Sequence, residues 1–187
     1  MPASPEAAEF FLNRRSRPAR LLGLPEPDRA ELERLLTAAV RVPDHGKLEP
    51  WRLIVLRGVE LGRFARAVRD RAAETGQDAE KGALAFEQAP VAIVVVASPV
   101  ASEKIPEVEQ TLSAGAVTLS LLNAALAAGW GANWLTGWPA YDAELREKEL
   151  GLEPREWIAG FVHIGTGVGE VPDRPRPDLA KIVTWRD

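Results

Sequence analysis

Arg14-Arg15-Ser16 and Arg41-Val42-Pro43-Asp44-His45 are the two short stretches whose side chains could do chemistry. Each falls where a predicted helix gives way to a loop. Together they bring guanidinium groups, an imidazole and a hydroxyl into a chain whose net charge is −4. A guanidinium presents a planar fork of donors that matches phosphate oxygens, and a serine hydroxyl adds another donor. The simplest ligand for such a set is a small anion, a phosphate first of all. Both stretches also have plainer readings. Arginines in a last turn suit the helix dipole, and a Pro-Asp-His-Gly run makes an ordinary surface turn. Arg17 and Arg20 make the charge denser than dipole compensation needs. His45 lies just ahead of Trp51, the start of a predicted core strand, and strand ends are common places for ligands.

A third candidate runs from Gly129 to Trp138 and holds three of the six tryptophans. Closely spaced glycines let backbone approach a ligand, and Trp rings give flat apolar walls for a planar ring system. The same residues would also serve as a bulky loop lining the core. No cysteine is present, and the only histidines are His45 and His163. There is no Ser/His/Asp arrangement, no cluster with metal-ligand spacing and no G-x-G-x-x-G after the first strand. His163 sits inside an alternating strand and reads as a satisfied core or interface imidazole. A protein that grips an anion without nucleophiles or metals borrows its reactivity from a bound cofactor.

Composition narrows the class. At 187 residues the chain is predicted to be one domain, residues 1–187, with a real core. With 23 basic against 27 acidic side chains, the basic surplus of a general nucleic-acid binder is missing. Zero cysteine rules out disulfides and thiolate catalysis, and suits a reducing interior. Met1 to Glu6 lacks the charged-then-apolar plan of a signal peptide, so a cytoplasmic protein is expected. Gln110 to Tyr141 carries no charge, but Gly115, Gly129, Gly131, Gly137 and Pro139 break it. A bilayer helix needs about 20 consecutive apolar residues, so a largely buried helix followed by an irregular loop is expected and no membrane span.

The elements that must position these groups follow from caps and periodicity. Ser4-Pro5 starts a helix that runs to about Asn13. Asp28 and Glu31 have capping-box spacing. Leu32, Leu35, Leu36 and Ala39 give that second helix one buried face, and Pro43 ends it at Arg41. Trp51 to Leu56 reads as a strand closed by Gly58. Leu61, Phe64, Val68 and Ala72 mark a helix ending near Gly76, and Ala79 to Glu87 a shorter one. Val91 to Val96, an apolar run between Pro90 and Pro99, is the signature of a strand buried on both faces. A long helix spans about Pro106 to Ala128 with Gly129 as its cap. Then come a brief strand over Ala132–Leu135, a small helix from Asp142 to Gly151 and a final core strand over Ile158–Ile164. The tail, Val171 to Asp187, is Pro-rich and then strand-like. It either pairs with a sheet edge, of this subunit or another, or packs on its own body. A mixed sheet covered by helices follows.

Taken together these pieces resemble the nitroreductase family, in particular its small single-domain bacterial members. The resemblance rests on Asn13-Arg14-Arg15-Ser16, Arg41 to His45, Pro50-Trp51, Ala89-Pro90-Val91, Gly129 to Gly137 and Gly160 to Thr166. It implies an α+β fold with a mixed central sheet of four or five strands flanked by helices. It also implies an intertwined homodimer with C-terminal strand exchange and FMN at the dimer interface. By match to the motif, Arg14, Arg15 and Ser16 would hold the phosphate and ribityl end. Arg41 and His45 would approach the flavin from the other chain. Trp134, Leu135 and Thr136 would line the cofactor. Ala124, Ala125, Leu126, Ala127, Ala128 and Gly129 would lie near the NADH or NADPH donor. The chain departs from the pattern at Pro18, where many members carry Lys, and at Leu135, where similar small members have Arg. Arg41 is the candidate for the missing charge.

The implied activity is an FMN-dependent oxidoreductase. It would pass a hydride from NAD(P)H through the flavin to a flat small-molecule acceptor such as a nitroaromatic or quinone, by a ping-pong route. The alternative is a flavin- or phosphate-ligand binding module, a carrier or sensor without turnover. An RNA-binding surface over Arg14–Arg20 lacks the aromatic platform that single-strand binders place beside their cations.

Overall fold

The structure, a computed structural model, describes residues 3–186. Met1 and Pro2, from the stretch read against a signal peptide, and Asp187, the end of the tail, lie outside the described residues. Helix α1 (Pro5–Asn13) starts as expected: Ser4 Oγ accepts from the Ala7 amide at 3.4 Å. Strand β1 (Leu22–Gly23) is too short to leave a periodic signal. Helix α2 (Arg29–Ala39) has the full capping box, with Glu31 N donating to Asp28 Oδ1 and Asp28 N to Glu31 Oε2, each at 2.8 Å. It stops at Ala39 rather than Arg41. Strand β2 (Trp51–Arg57) runs straight into α3 (Gly58–Thr75), so Gly58, at φ +53°, begins a helix as it closes the strand. Then follow α4 (Ala79–Gln88), β3 (Val91–Ala97), α5 (Glu107–Ala127), β4 (Gly131–Leu135) and β5 (Trp157–Gly167). The small helix expected after Asp142 is a π-helical turn over Leu145–Glu149, with Asp142 Oδ1 accepting from Leu145 N at 3.0 Å.

The sheet is ordered β5, β3, β2, with β4 and the short β1 following one another along the other edge of β5. Every pairing among the described residues is antiparallel, against the mixed sheet expected. The connections explain this. Two packed helices, α3 and α4, carry the chain away from the end of β2 and back, so β3 runs opposite to β2. β3 and β4 run parallel to each other, but β5 lies between them and no parallel ladder can form. The β3–β5 register shifts once: Val95 lies opposite Gly160 but Val96 opposite Ile158, which leaves Ala159 without a partner on β3.

Helices cover both faces, because β3 is apolar at every position. Val91, Ile93, Val95 and Ala97 pack with α2 and α5 on one side; Ala92, Val94 and Val96 pack with α3 and α4 on the other. Helix α5 is long and apolar enough to cross a membrane by length and composition. Here Ala114, Val117, Leu121 and Ala125 are fully buried in the core. On the opposite face of the sheet Phe64, Phe86 and Phe161 form an edge-to-face cluster, Phe86 and Phe161 being 4.9 Å apart at 88°.

The apolar end of the tail is a one-turn helix, α6 (Leu179–Ile182), followed by extended Val183, and among the described residues it pairs with no strand of its own chain. Leu179, Ile182 and Trp185 stand exposed, Trp185 at 83%.

His163 is core, as read from the sequence, but it is not satisfied. It is fully buried 5.0 Å from the Phe86 ring, and neither ring nitrogen has a hydrogen-bond partner among the described residues. Burial lowers its pKa from 6.5 to about 3. Between those values the unfolded chain binds a proton that the folded chain refuses, so stability falls as pH drops from 6.5 and levels off below 3. The slope from this one group reaches about 1.4 kcal/mol per pH unit. Glu156, clasped by Arg52 through Nε at 2.8 Å and Nη2 at 2.7 Å, is held near 2 and adds to the loss only below its ordinary value of 4.5. From pH 6.5 to 5 Glu156 therefore adds nothing, and comparison with a variant lacking the imidazole reads His163 alone. Urea midpoints are expected to fall across that window in the parent protein and to fall much less in a His163→Leu variant.

Candidate functional site

The cation motif leaves α1 and is pinned along the free edge of β4. Arg17 N donates to Ala132 O at 2.8 Å, and Asn133 Nδ2 donates to Arg17 O at 2.7 Å. Residues 14–18 are consequently half-buried rather than a solvated helix end. Their guanidinium groups reach the chain that follows β5. Arg17 Nη1 donates to Gly169 O at 2.6 Å, and its stem lies where a side chain on Gly167 would sit. Arg15 Nε donates to Pro172 O at 3.1 Å and its Nη1 lies 3.4 Å from Ser16 Oγ. The start of the tail is thereby strapped across the motif.

Between the motif and β4 lies a cleft of about 380 Å³. It is lined by Arg15, Ser16, Arg17, Pro18 and Ala19 from the motif and by Asn133, Trp134 and Leu135 from β4, with Arg174 from the tail. Arg15, Ser16, Trp134 and Leu135, expected to share a ligand, are thus brought together. Arg174 was not singled out from the sequence. It sits in a Pro-rich tail with no pattern, and only the strap to Arg15 and Arg17 carries it to the cleft. The Asn133 Oδ1 atom is buried beside the cleft with no partner, while Nδ2 is committed to Arg17 O.

Other candidates fall elsewhere. Arg14 is half-buried and Thr136 exposed, and neither lines this cleft. Arg41 is exposed, and His45 Nδ1 lies 2.6 Å from Glu109 Oε2 in the first turn of α5. Asp44 does not hold His45: its carboxylate accepts from the Leu48 and Glu49 amides instead. Of the three tryptophans in the Gly129–Trp138 stretch, only Trp134 is a wall of the cleft. Trp130 packs against the core, and Trp138 lies over Gly82 and donates to Asp78 O at 3.0 Å. Ala125 is core, and Leu126 is partly buried against it. Ala124, Ala127 and Ala128 line a separate groove of about 510 Å³ with Arg34 and Leu35 of α2, just before Gly129 turns the chain at φ +88°.

The chemistry does not follow cavity volume. A groove of about 640 Å³ lies against α3 and α4, but its acids Glu26 and Glu87 are already paired with Arg57 and Arg69. Among the described residues Arg66 is the one cation lining it. The β4 cleft instead combines three guanidinium groups and a hydroxyl with a broad apolar wall. Guanidinium and hydroxyl donors suit a phosphate, and Trp134 with Leu135 suits a flat ring. No group of three or more His, Cys, Asp or Glu able to hold a metal occurs among the described residues.

Comparison with known proteins gives the family. The sequence pattern of the Nitroreductase family matches residues 12–166. The chain is 34% identical to Escherichia coli K12 YdjA, provisionally named an NAD(P)H nitroreductase, over 164 residues covering 86% of this chain and 88% of that protein. Its fold matches the crystal structure of a nitroreductase-like family protein from Bacillus cereus with a TM-score of 0.81 at 22% identity, covering 99% and 98% of the two chains. It also matches a Bacteroides fragilis nitroreductase solved with bound FMN, with a TM-score of 0.77 at 18% identity over 98% and 100%. The motif, the sheet that carries it and the match along most of the sequence agree: this chain belongs to the nitroreductase family.

Proposed function

We infer that the protein is an FMN-dependent oxidoreductase of one domain that draws reducing equivalents from NADH or NADPH and delivers them to a flat acceptor, a nitroaromatic or a quinone. The observation that carries this reading is the β4 cleft, where Arg15, Ser16 and Arg174 meet Trp134 and Leu135. FMN, when bound, supplies the redox chemistry by accepting a hydride equivalent from the dinucleotide and returning it to the acceptor.

The residues present fit that cofactor. Arg15 and Arg174 with the Ser16 hydroxyl bind and neutralise the phosphate. Trp134 and Leu135 hold apolar surface against the ring system and keep water from one side of it. Arg174 supplies, from the tail, a cation in the cleft where Pro18 offers none. Asn133 Oδ1 is an acceptor awaiting a ligand N–H or O–H. Binding and orientation are the protein's share of the catalysis.

The cleft is at the small end for a ligand of this size, in keeping with a site completed by a second copy. Arg41 and His45, remote from the cleft of their own chain, would then approach the flavin of the partner. The tail's exposed Leu179, Ile182 and Trp185, and the exposed Val108, Leu112 and Leu119 of α5, are apolar surfaces that a homodimer would bury. Ala124, Ala127 and Ala128 would face the dinucleotide from the groove beside α2. The working form is a cytoplasmic homodimer acting on small molecules, with no nucleic-acid or membrane partner.

Purified protein is expected to be yellow, to release FMN on denaturation and to be bleached by NADH or NADPH without oxygen. Donor and acceptor share one face of the flavin in turn, so double-reciprocal plots at several acceptor concentrations should be parallel. Intersecting plots would rule out the shared site. A yellow protein that neither donor bleaches would make it a carrier or sensor.

A further inference from the structure

The single register shift of the β3–β5 ladder falls directly behind the cofactor cleft. Ala159 is the extra residue there, with Val95 opposite Gly160 and Val96 opposite Ile158. A bulge takes a peptide out of the ladder and re-aims what is attached to it, and bulges recur beside active sites. The carbonyl of this extra residue is bound from the neighbouring strand: Trp134 Nε1 donates to Ala159 O at 3.2 Å. Trp134 lies opposite Val162 on β5, so Gly160 is its diagonal neighbour across the pair. The indole fills the place of the missing side chain. A Cβ on Gly160 would overlap Trp134 Nε1 and lie 2.5 Å from Cδ1 and 3.0 Å from Cε2. Gly160 is not among the glycines with positive φ, so the backbone does not call for glycine at this position. What the structure uses is the empty space above its Cα.

We propose that Gly160 and the Ala159 bulge are positioning elements for FMN, acting through the Trp134 ring seated on them. The bulge supplies an acceptor that fixes the indole's direction. The glycine lets the ring lie down on β5, which leaves room in the cleft and turns a flat face to the cofactor. This rests on the FMN reading above. Gly160 touches no ligand itself; its effect on binding passes entirely through Trp134.

The test is a double-variant cycle on the full chain, stripped of flavin and titrated with FMN by flavin fluorescence, with the apoprotein's thermal midpoint recorded alongside. Gly160→Ala is expected to weaken FMN about tenfold or more, as added methyl groups do at packed sites, and to shift the bound flavin's absorbance. In a Trp134→Ala background the same Gly160→Ala change is expected to cost less than about twofold, because no ring remains to displace. A general loss of strand stability would lower the thermal midpoint by the same amount in both backgrounds and would not depend on Trp134. Wild-type FMN affinity in Gly160→Ala, or an equal loss in the two backgrounds, overturns the proposal while leaving FMN as the cofactor. Failure of the parent protein to bind FMN overturns both readings together. Should Gly160→Ala not fold, Trp134→Phe removes the bond to Ala159 and leaves Gly160 untouched. It is expected to weaken FMN about threefold or more, as loss of one neutral hydrogen bond does, and unchanged affinity there sinks the proposal.

Discussion

An Arg15→Ala variant is expected to bind FMN about thirtyfold or more weakly than the parent, since truncating one partner of a desolvated charge pair typically costs about 2–5 kcal/mol. Arg15 is half-buried at the cleft, and its guanidinium makes two connections in the structure. Nε holds Pro172 O, and Nη1 lies 3.4 Å from Ser16 Oγ. The variant therefore loses a phosphate donor and also loosens the strap that brings Arg174 into the same cleft. Arg15→Lys separates the two effects. It keeps the charge but not the fork, so its affinity should fall between the two, because an ammonium lacks the rigid planar set of donors that faces phosphate and Pro172 O in fixed directions. Ser16→Ala removes one neutral donor and should cost about tenfold at most. Fluorescence titration of flavin-free protein reads all three. Parent-like affinity in Arg15→Ala would mean that the phosphate sits elsewhere.

A Phe161→Ala variant is expected to lose about 3–5 kcal/mol of folding stability, the usual range for emptying a fully buried aromatic site. Phe161 is 0% exposed and meets Phe86 edge-to-face at 4.9 Å and Phe64 at 6.1 Å. Those rings come from β5, α4 and α3, so the cavity would open where three elements meet, and none can close it alone. Phe161 also lies opposite Leu135 of β4, one position from the Trp134 wall. FMN release at moderate temperature should therefore accompany the loss. Urea unfolding followed by far-ultraviolet circular dichroism gives the first quantity, and flavin fluorescence the second. A change below about 1 kcal/mol would mean that the cluster collapses around the missing ring.

Much of the architecture was legible because its determinants are local. The Ser4 cap, the Asp28–Glu31 box, the Gly76 stop and the unbroken apolar run over residues 91–96 each act within a few residues of where they are written. They placed α1, α2, α3 and β3 to within a residue or two, apart from the early start of α3. The two-residue β1 left no trace, since a pair of residues has no period and its partner lies more than a hundred positions away. The tail reads as strand-like over Ile182 to Trp185; the helical turn stops at Ile182 and Val183 is extended, and its pairing with a second subunit's sheet is a matter between chains that no local pattern decides. The all-antiparallel ladder also differs from expectation. Strand direction is set by how many helices intervene and which strand inserts between which, and no short window contains that.

Which residues carry donors, rings and small side chains was settled by the sequence itself, because a guanidinium is a phosphate donor wherever it stands; that Arg15, Ser16, Trp134 and Leu135 are candidates for one ligand came from the resemblance of their motifs to the nitroreductase family. What only the tertiary structure decided is which of them meet. The edge of β4 captures the Arg17 backbone, the strap from Arg15 and Arg17 carries Arg174 to the cleft, and a one-residue bulge at Ala159 seats Trp134 over Gly160. The same packing lays Trp130 and Trp138, each half-buried, against the core away from the cleft and ties His45 to Glu109. Each of these outcomes depends on contacts between segments far apart along the chain, whose energies exist only once the sheet has assembled.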